Sequence, residues 1–258
     1  MNNIITEEDY LKMFSRDNCL EILRKCGGYY SCPKTLCGAI RLGPLVGYAG
    51  EYVAPDRSQK QFVGDVYVNF SQAEEHPDVL KFFARGIVTL VDTQIGPIDF
   101  LCGAPIGGYA LSTAISVLFG YQMIIAEKKI TSIATLTSRE KSKLVFARHR
   151  VKKGRKYVIV EDVCNNFSTT EKLIELICSA GGHVSGIVCF LNRSLTVESV
   201  YHSDVISCDI PVVSLVRLLI KEYKQDDSEV AEDIKAGNVV WKPKDEWLRL
   251  IQEMKSRA

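Results

Sequence analysis

Residues 156–170 read KYVIVEDVCNNFSTT, and this stretch decides the fold class. An apolar run ending at Val160 is followed by two adjacent acids, Glu161 and Asp162, and then by a short polar loop that leads into a helix. A strand that is apolar on both faces is typical of a parallel sheet covered by helices on both sides. Ligands of such proteins bind at the carboxyl ends of the strands.

Helices and strands alternate outward from this stretch. Strands are predicted over residues 98–102, 122–126, 156–160 and 184–191, and helices over residues 77–91, 107–116, 169–179 and 212–221. Such alternation predicts an α/β fold with a doubly wound, mostly parallel sheet. The helix over 169–179 would begin directly after the polar loop.

The two ends of the chain follow other patterns. We expect a helix over residues 7–25 with Thr6 as its N-cap, because apolar residues recur there at helical spacing. Prolines, glycines and apolar residues are mixed over 31–64, which favours short strands and turns. The predicted parts are therefore an N-terminal helix/strand hood (1–70), a core (71–222) and a C-terminal tail that ends in a helix (223–258).

Composition excludes several classes of protein. The chain has 258 residues and a formal net charge of +1, which argues against general attraction to nucleic acid or to an anionic membrane. No apolar run approaches the ~20 residues of a transmembrane helix. The first ten residues carry acids where a signal peptide would carry Lys or Arg. We therefore expect a cytoplasmic protein.

Nine cysteines are the one unusual number in the composition. An odd count without a secretory signal predicts reduced thiols that behave as small apolar residues. Cys32 and Cys37 are loosely spaced like metal ligands, but neither a second pair nor a His partner follows. We expect no metal site built from protein ligands alone.

The loop after the two acids suits a phosphate. A helix N-terminus offers unpaired N–H groups and the positive end of the helix dipole, and Ser168, Thr169 and Thr170 add hydroxyl donors. Glu161 and Asp162 would accept hydrogen bonds from vicinal hydroxyl groups. A phosphate beside a diol describes a ribose 5-phosphate. The alternative is that the acids are solvated and that the hydroxyl groups form an ordinary N-cap.

The order of the motifs resembles that of the type I phosphoribosyltransferases, and within them that of the orotate phosphoribosyltransferases. The likeness covers nearly the whole chain, and its parts are the acidic strand end with its loop, Lys25-Cys26-Gly27-Gly28-Tyr29, Tyr67-Val68-Asn69, Cys102-Gly103-Ala104-Pro105-Ile106-Gly107-Gly108, Ala126-Glu127-Lys128 and Phe190-Leu191-Asn192-Arg193. Each part is short, but together their order and spacing are fairly specific.

The resemblance implies a role for each matched residue. The donor, phosphoribosyl pyrophosphate, would contact Glu161, Asp162, Val163, Cys164, Asn165, Asn166, Phe167, Ser168, Thr169, Gly107, Gly108 and Lys128. Orotate would contact Lys25, Tyr67, Val68, Asn165 and Arg193. Lys128 and Asp162 would be the catalytic residues, and Mg²⁺ would be bound through the substrate pyrophosphate. Two bland alternatives stay open: Gly107 and Gly108 could serve only close packing, and Arg193 could be an exposed loop residue.

Three departures from the family pattern affect the function. The phosphate loop of the family is Thr-Thr-Gly-Gly-Ser, and here Phe167 replaces the first glycine, which predicts a ring where the loop is tightest. The basic stretch 128–150 suits the family's mobile cover, but Thr131 stands where a lysine is expected, so Lys129, Lys141 and Lys143 are candidate substitutes. Asn192 replaces an aspartate.

Two main functions follow from the resemblance, and an enzyme of the same kind that acts on a different base is a third, lesser possibility. The first is transfer of the phosphoribosyl group to orotate by a homodimeric enzyme of pyrimidine synthesis. The second is a regulator or sensor with the same fold that binds phosphoribosyl pyrophosphate or a nucleotide without turnover. The altered loop favours the second, and the retained Glu161, Asp162, Lys25 and Arg193 favour the first.

Overall fold

The computed structural model describes residues 12–36, 40–132 and 141–256. They form two compact units. The first unit runs to residue 19 and then from 73 to 218, and the second contains residues 20–72 and the chain from 219 onward. No helix within the described ranges is long and apolar enough to cross a membrane.

The helices and strands of both units are named here in chain order. The helices are α1 (Arg16–Lys25), α2 (Ser71–Glu74), α3 (Pro77–Leu90), α4 (Gly108–Phe119), α5 (Ser168–Ser179), α6 (Ala231–Lys235) and α7 (Trp247–Ser256). The strands are β1 (Tyr29–Ser31), β2 (Leu45–Val53), β3 (Gln59–Gly64), β4 (Val66–Val68), β5 (Phe100–Gly103), β6 (Gln122–Ile125), β7 (Glu127–Ser132), β8 (Lys141–Val145), β9 (Lys156–Cys164), β10 (His183–Asn192), β11 (Val200–Ser203), β12 (Cys208–Arg217) and β13 (Val239–Val240).

A six-stranded sheet forms the centre of the first unit, in the order β11-β12-β10-β9-β5-β6. The strands from β12 to β6 run parallel, and β11 is antiparallel to β12. Strand β9 has a parallel neighbour on each side. This topology confirms the predicted doubly wound, mostly parallel sheet.

Helices cover both faces of this sheet. Leu173, Ile174 and Ile177 of α5 share one buried cluster with Ile187 and Cys189 of β10. On α3, the ring of Phe83 lies 4.5 Å from that of Phe190, the next residue of β10. Because successive side chains of a strand point to opposite faces, α3 and α5 lie on opposite sides of the sheet.

The helix predicted over residues 212–221 is wrong, because residues 212–217 belong to strand β12 and residues 218–221 follow it without helical structure. Its apolar side chains are buried on both faces and include Val212, Val213, Leu215 and Val216. A short apolar run buried on all sides does not distinguish a strand from a helix by periodicity. The β-branched valines favour a strand, and pairing of Val212 with Ile187 of β10 fixes it.

Two other boundaries differ from those predicted. Strand β9 extends through both acids to Cys164, since β10 pairs with it along its whole length. The named N-terminal helix begins at Arg16, where the Ser15 hydroxyl accepts a hydrogen bond from the Asn18 N–H at 3.4 Å. The predicted N-cap Thr6 lies outside the described residues.

The apolar residues of segment 31–64 belong to the sheet and the core of the second unit. Strands β13, β2 and β3 form a three-stranded sheet around a small core that includes Leu45, Val63 and Tyr223. The guanidinium of Arg41 donates to the Glu229 carbonyl at 2.6 Å and lies 3.2 Å from the Asp233 carboxylate. Segment 31–64 is thus held to the C-terminal tail by sheet pairing and by this charged contact.

Candidate active site

Two carboxylates stand near the carboxyl end of β9. Glu161 is buried with 8% of its surface exposed, and Asp162 is half-buried. Asp162 Oδ1 accepts a hydrogen bond from the Val163 N–H at 2.8 Å. Both acids lie within β9, where β10 pairs alongside them, whereas the pairing with β5 ends at Val160.

The pKa of the Glu161 carboxyl is raised well above its ordinary value. Burial is the largest cause, and the charge of Asp162 next to it acts in the same direction. The charge of Lys128 opposes both effects and favours the ionised form. A cation or a hydroxyl donor that reaches this site would therefore stabilise the ionised form of Glu161, as Lys128 does.

The turn before α4 approaches these carboxylates closely. A Cβ on Gly107 would overlap the carboxylate of Asp162, and a Cβ on Gly108 would overlap the carbonyl of Val160. The Ala104 N–H also donates to the Val160 carbonyl at 3.0 Å. Gly108 therefore allows close packing of α4 against β9, which was the alternative explanation for both glycines. Gly107 instead makes room for a carboxylate of the site.

The predicted phosphate loop encloses a cavity of about 100 Å³ lined by Glu161 and by residues 163–170. A cavity of about 150 Å³ holds a benzene molecule, so this one has room for a phosphate-sized group. The cavity lies at the N-terminus of α5, where backbone N–H groups and the helix dipole favour an anion. The structure thus brings the residues from Val163 to Thr169 together around one space.

Phe167 has a left-handed backbone conformation, which glycine adopts without a steric cost. Its φ of 56° and ψ of 13° lie in the left-handed region, which costs a non-glycine residue about 1–2 kcal/mol. Its ring is buried and stacks on Tyr201, with the centroids 5.0 Å apart and the planes 16° apart. The expected steric conflict in the loop is therefore absent, because the ring packs into the core cluster of the first unit.

Among the candidate lysines, Lys128 lies close enough to Glu161 to lower its pKa. Lys129 pairs with Lys143 across the ribbon of β7 and β8, and Lys143 lines a cleft with Lys172 and Ser179 of α5. That cleft extends to the C-terminal end of α5, whereas the phosphate cavity lies at its N-terminus. The side chain of Lys141 and the ribbon tip, 133–140, lie outside the description.

Arg193 is buried, with 8% of its surface exposed, so it is not the exposed loop residue of the bland alternative. Its N–H donates to the Cys164 carbonyl at 2.9 Å, which places it beside the end of β9 and next to Asn165. Asn192 shapes this loop: its amide donates to the carbonyls of Val197 and Glu198, both at 3.0 Å. An aspartate could not donate these two hydrogen bonds.

Three residues predicted to contact orotate lie in the second unit. Lys25 ends α1, and Tyr67 and Val68 lie on β4, which pairs with β1 directly after the α1 turn. The turn and the strand are joined where the Asn69 N–H donates to the Gly28 carbonyl at 2.9 Å. Asn165 and Arg193 lie in the first unit, so these residues fall into two groups, one in each unit.

Cys102 and Cys164 are buried thiols near the two turns. Burial raises the pKa of Cys102, and a side-chain hydrogen bond with Cys189 followed by burial raises that of Cys164. Because the thiolate is the reactive form, neither cysteine is poised as a nucleophile. Cys164 contributes to the site as part of the cavity wall.

The sequence-based prediction missed Tyr201 and Glu171, which support the loop from behind. Glu171 Oε1 accepts hydrogen bonds from the Ser203 hydroxyl and from the Val205 N–H, both at 3.0 Å. Tyr201 lies on β11, more than thirty residues after the loop. No short motif marks either residue, since their role depends on how the edge strands pack.

Comparison with known proteins gives related sequences and a related fold. The chain is 25% identical over 170 residues to an orotate phosphoribosyltransferase of Caldanaerobacter subterraneus, covering 66% of this chain and 78% of the relative. It is 25% identical over 177 residues to one of Bartonella tribocorum, covering 67% and 82%. The crystal structure of orotate phosphoribosyltransferase from Aeropyrum pernix superposes with a TM-score of 0.50 at 13% identity, covering 84% of this chain and 98% of that one.

The chain has the fold of the type I phosphoribosyltransferases and resembles them in sequence. No protein-family model matches it. Its resemblance to phosphoribosyltransferases therefore rests on sequence similarity over 66–67% of the chain, together with the acidic strand end, the glycine turn and the phosphate loop of the first unit.

The raised pKa of Glu161 predicts a pH dependence of stability. A carboxyl whose pKa is higher in the folded state loses stability as the pH rises from its unfolded value, ~4.3, through the folded one. Glu161→Gln removes this loss, so the free energy of unfolding of the variant relative to the wild type should increase with pH. Urea unfolding between pH 4.5 and pH 8 measures it.

The control for this experiment is Glu175→Gln, which changes an exposed carboxylate on α5. Its stability relative to the wild type should stay nearly constant over the same pH range. If the stability of Glu161→Gln relative to the wild type is also constant with pH, the pKa of the Glu161 carboxyl is not raised by burial.

Proposed function

We propose that the protein transfers the 5-phosphoribosyl group from phosphoribosyl pyrophosphate to orotate, giving orotidine 5′-phosphate and pyrophosphate for pyrimidine nucleotide synthesis. One observation carries the proposal. The buried Glu161, and Asp162 with its carboxylate against Gly107, lie at the same strand end as a phosphate-sized cavity. Hydroxyl acceptors beside an anion cavity fit a ribose 5-phosphate.

The first step of the proposed reaction is binding of the donor. The 5-phosphate occupies the cavity of residues 163–170, and its charge is met by N–H groups at the start of α5. The ribose hydroxyls donate to Glu161 and Asp162. Ligands that bring positive charge favour the ionised form of Glu161, which compensates for its burial.

The transfer itself needs positioning and charge neutralisation. The bond from C1 of the ribose to a pyrophosphate oxygen breaks with oxocarbenium-like character, and a bond from C1 to the base nitrogen forms. The leaving pyrophosphate gains charge, so nearby cations and N–H groups lower the barrier. Lys128 is the cation whose charge already reaches this site, and the turn at Gly107 lies against the Asp162 carboxylate.

The residues present fit a Mg²⁺ ion that arrives with the donor. Mg²⁺ commonly takes one or two protein carboxylates together with substrate phosphates and water. Glu161 and Asp162 provide such oxygens, and no group of three metal-ligating side chains occurs in the described part of the chain. When bound, Mg²⁺ would neutralise pyrophosphate charge.

Asn165 and Arg193, the two expected orotate contacts of the first unit, are proposed to meet the base. Arg193 is a buried cation at the end of β10, and a guanidinium binds a carboxylate such as that of orotate in a bidentate manner. Asn165 follows β9 directly, next to Arg193. These residues support an anionic base as the acceptor.

A second candidate is a protein of the same fold that binds the donor or a nucleotide as a regulator. The observation in its favour is that Phe167 stands where the family's loop has a glycine and that, among the lysines of β7 and β8 whose side chains the structure describes, Lys128 is the one whose charge lowers the pKa of Glu161. The intact cavity is compatible with both candidates, so turnover distinguishes them.

The direct test follows the loss of orotate absorbance with phosphoribosyl pyrophosphate and Mg²⁺. We expect turnover that requires all three components. Absence of turnover together with tight donor binding in calorimetry would support the regulator. Absence of both would refute phosphoribosyl chemistry at this site.

Asp162→Asn tests the placement of the ribose. The substitution keeps the size of the side chain but removes its charge, so we expect donor affinity to fall at least tenfold while the unfolding temperature changes little. Calorimetric titration with the donor measures it. Asp204→Asn, an exposed aspartate of the same unit, should bind the donor like the wild type. If Asp162→Asn binds the donor with wild-type affinity, the proposed placement of the ribose at this strand end is wrong.

We also propose that the protein acts as a homodimer. Helix α4 contains no charged residue, and 78% of the surface of Val117 is exposed at its end. An apolar cleft of about 480 Å³ between α3 and α4 continues this surface. An exposed apolar patch of this kind favours association.

Sedimentation of the purified chain should therefore give a dimer, and Val117→Lys should shift it toward a monomer. Lys156→Glu, a change of charge on an exposed residue at the start of β9, should leave the dimer intact. A wild-type monomer at micromolar concentration would contradict the proposal.

A further inference from the structure

We propose that Tyr201 is a positioning residue for the phosphate loop and compensates for the missing glycine. This inference rests on the proposed function, since it concerns the same cavity. Phe167 combines a left-handed backbone with a large side chain, which is an unusual pairing. A left-handed bulky residue persists only where the surrounding structure holds it.

The ring of Tyr201 supplies that hold. It stacks on the Phe167 ring with the planes 16° apart, and both belong to the apolar cluster behind the loop. While the two rings stay stacked, the Phe167 ring remains buried in the core cluster. The backbone of the loop then keeps the conformation in which residues 163–170 enclose a phosphate-sized space.

A second contact joins the same strand to the first turn of α5. Glu171, three residues into the helix, accepts hydrogen bonds from Ser203 and Val205 just beyond Tyr201. Burial and the neighbouring Glu171 raise the pKa of Tyr201 to about 12, so its hydroxyl stays protonated at neutral pH. Edge strand β11 therefore holds the loop and the helix start as one support.

The support has measurable consequences for the loop amides. The Ser168 N–H donates to Asn166 Oδ1 at 3.2 Å, and the Glu171 N–H donates to the Phe167 carbonyl at 2.8 Å. Both hydrogen bonds require the observed conformation of Phe167. Their exchange with solvent deuterium reports the loop in the ligand-free protein.

The experiment compares Tyr201→Ala with Tyr201→Phe. We expect Tyr201→Ala to speed exchange of the Ser168 and Glu171 amides at least tenfold and to weaken ribose 5-phosphate binding at least tenfold in calorimetry. Tyr201→Phe retains the stacked ring, so both quantities should stay within threefold of the wild type.

A matched control is Phe100→Ala, because Phe100 stacks on Tyr157 with the planes 19° apart at the start of β5, at the opposite end of the strands. Phe100→Ala should lower the free energy of unfolding, but it should neither speed exchange of the Ser168 and Glu171 amides nor weaken ribose 5-phosphate binding. In a Phe167→Gly background, Tyr201→Ala should change ribose 5-phosphate affinity less than twofold, because Tyr201 acts through the Phe167 ring.

The outcomes separate this inference from the proposed function. Tyr201 does not position the loop if Tyr201→Ala changes the exchange of the loop amides no more than Phe100→Ala does. The same holds if Tyr201→Ala weakens ribose 5-phosphate binding as much in the Phe167→Gly background as in the wild type. If the wild type fails to bind ribose 5-phosphate, the proposed function falls, and the exchange rates alone decide whether Tyr201 holds the loop.

Discussion

The close approach of the Asp162 carboxylate to Gly107 is the constraint on which the site depends. Because the glycine has no side chain, the turn before α4 can lie directly against the end of β9. The two structures that would meet the donor, an acidic strand end and a glycine turn, are thereby fixed to each other. Parallel pairing of β9 on both sides keeps that arrangement in register.

This arrangement carries an electrostatic cost in the ligand-free protein. Glu161 is buried next to a second carboxylate, and burial is the main reason that its pKa is raised. Groups perturbed by burial and by a like charge are typical of functional sites. The strain of Phe167 is similar in kind: about 1–2 kcal/mol of backbone cost is offset by a stacked aromatic pair worth about 0.5–1.5 kcal/mol beyond its buried area.

The sequence predicted much of the core because its signals were local. The apolar run before Glu161 and the helix after Phe167 were both found where expected. Strand β12 was misread, since Val212 and its neighbours are buried on both faces and periodicity is then uninformative.

The supports of the site could not be predicted, for a different physical reason. Phe167 looked unfavourable in the sequence because the direction of its ring depends on Tyr201, which lies on the edge strand β11. The role of Asn192 likewise depends on carbonyls of a loop that only the fold places near its amide. Tertiary packing decides both cases, whereas the motif residues themselves were already visible.

The most direct test of the central claim is a crystal structure of the protein with phosphoribosyl pyrophosphate and Mg²⁺. The account predicts the 5-phosphate in the cavity of residues 163–170 and the ribose hydroxyls on Glu161 and Asp162. A donor bound elsewhere, with only water beside these two carboxylates, would contradict it.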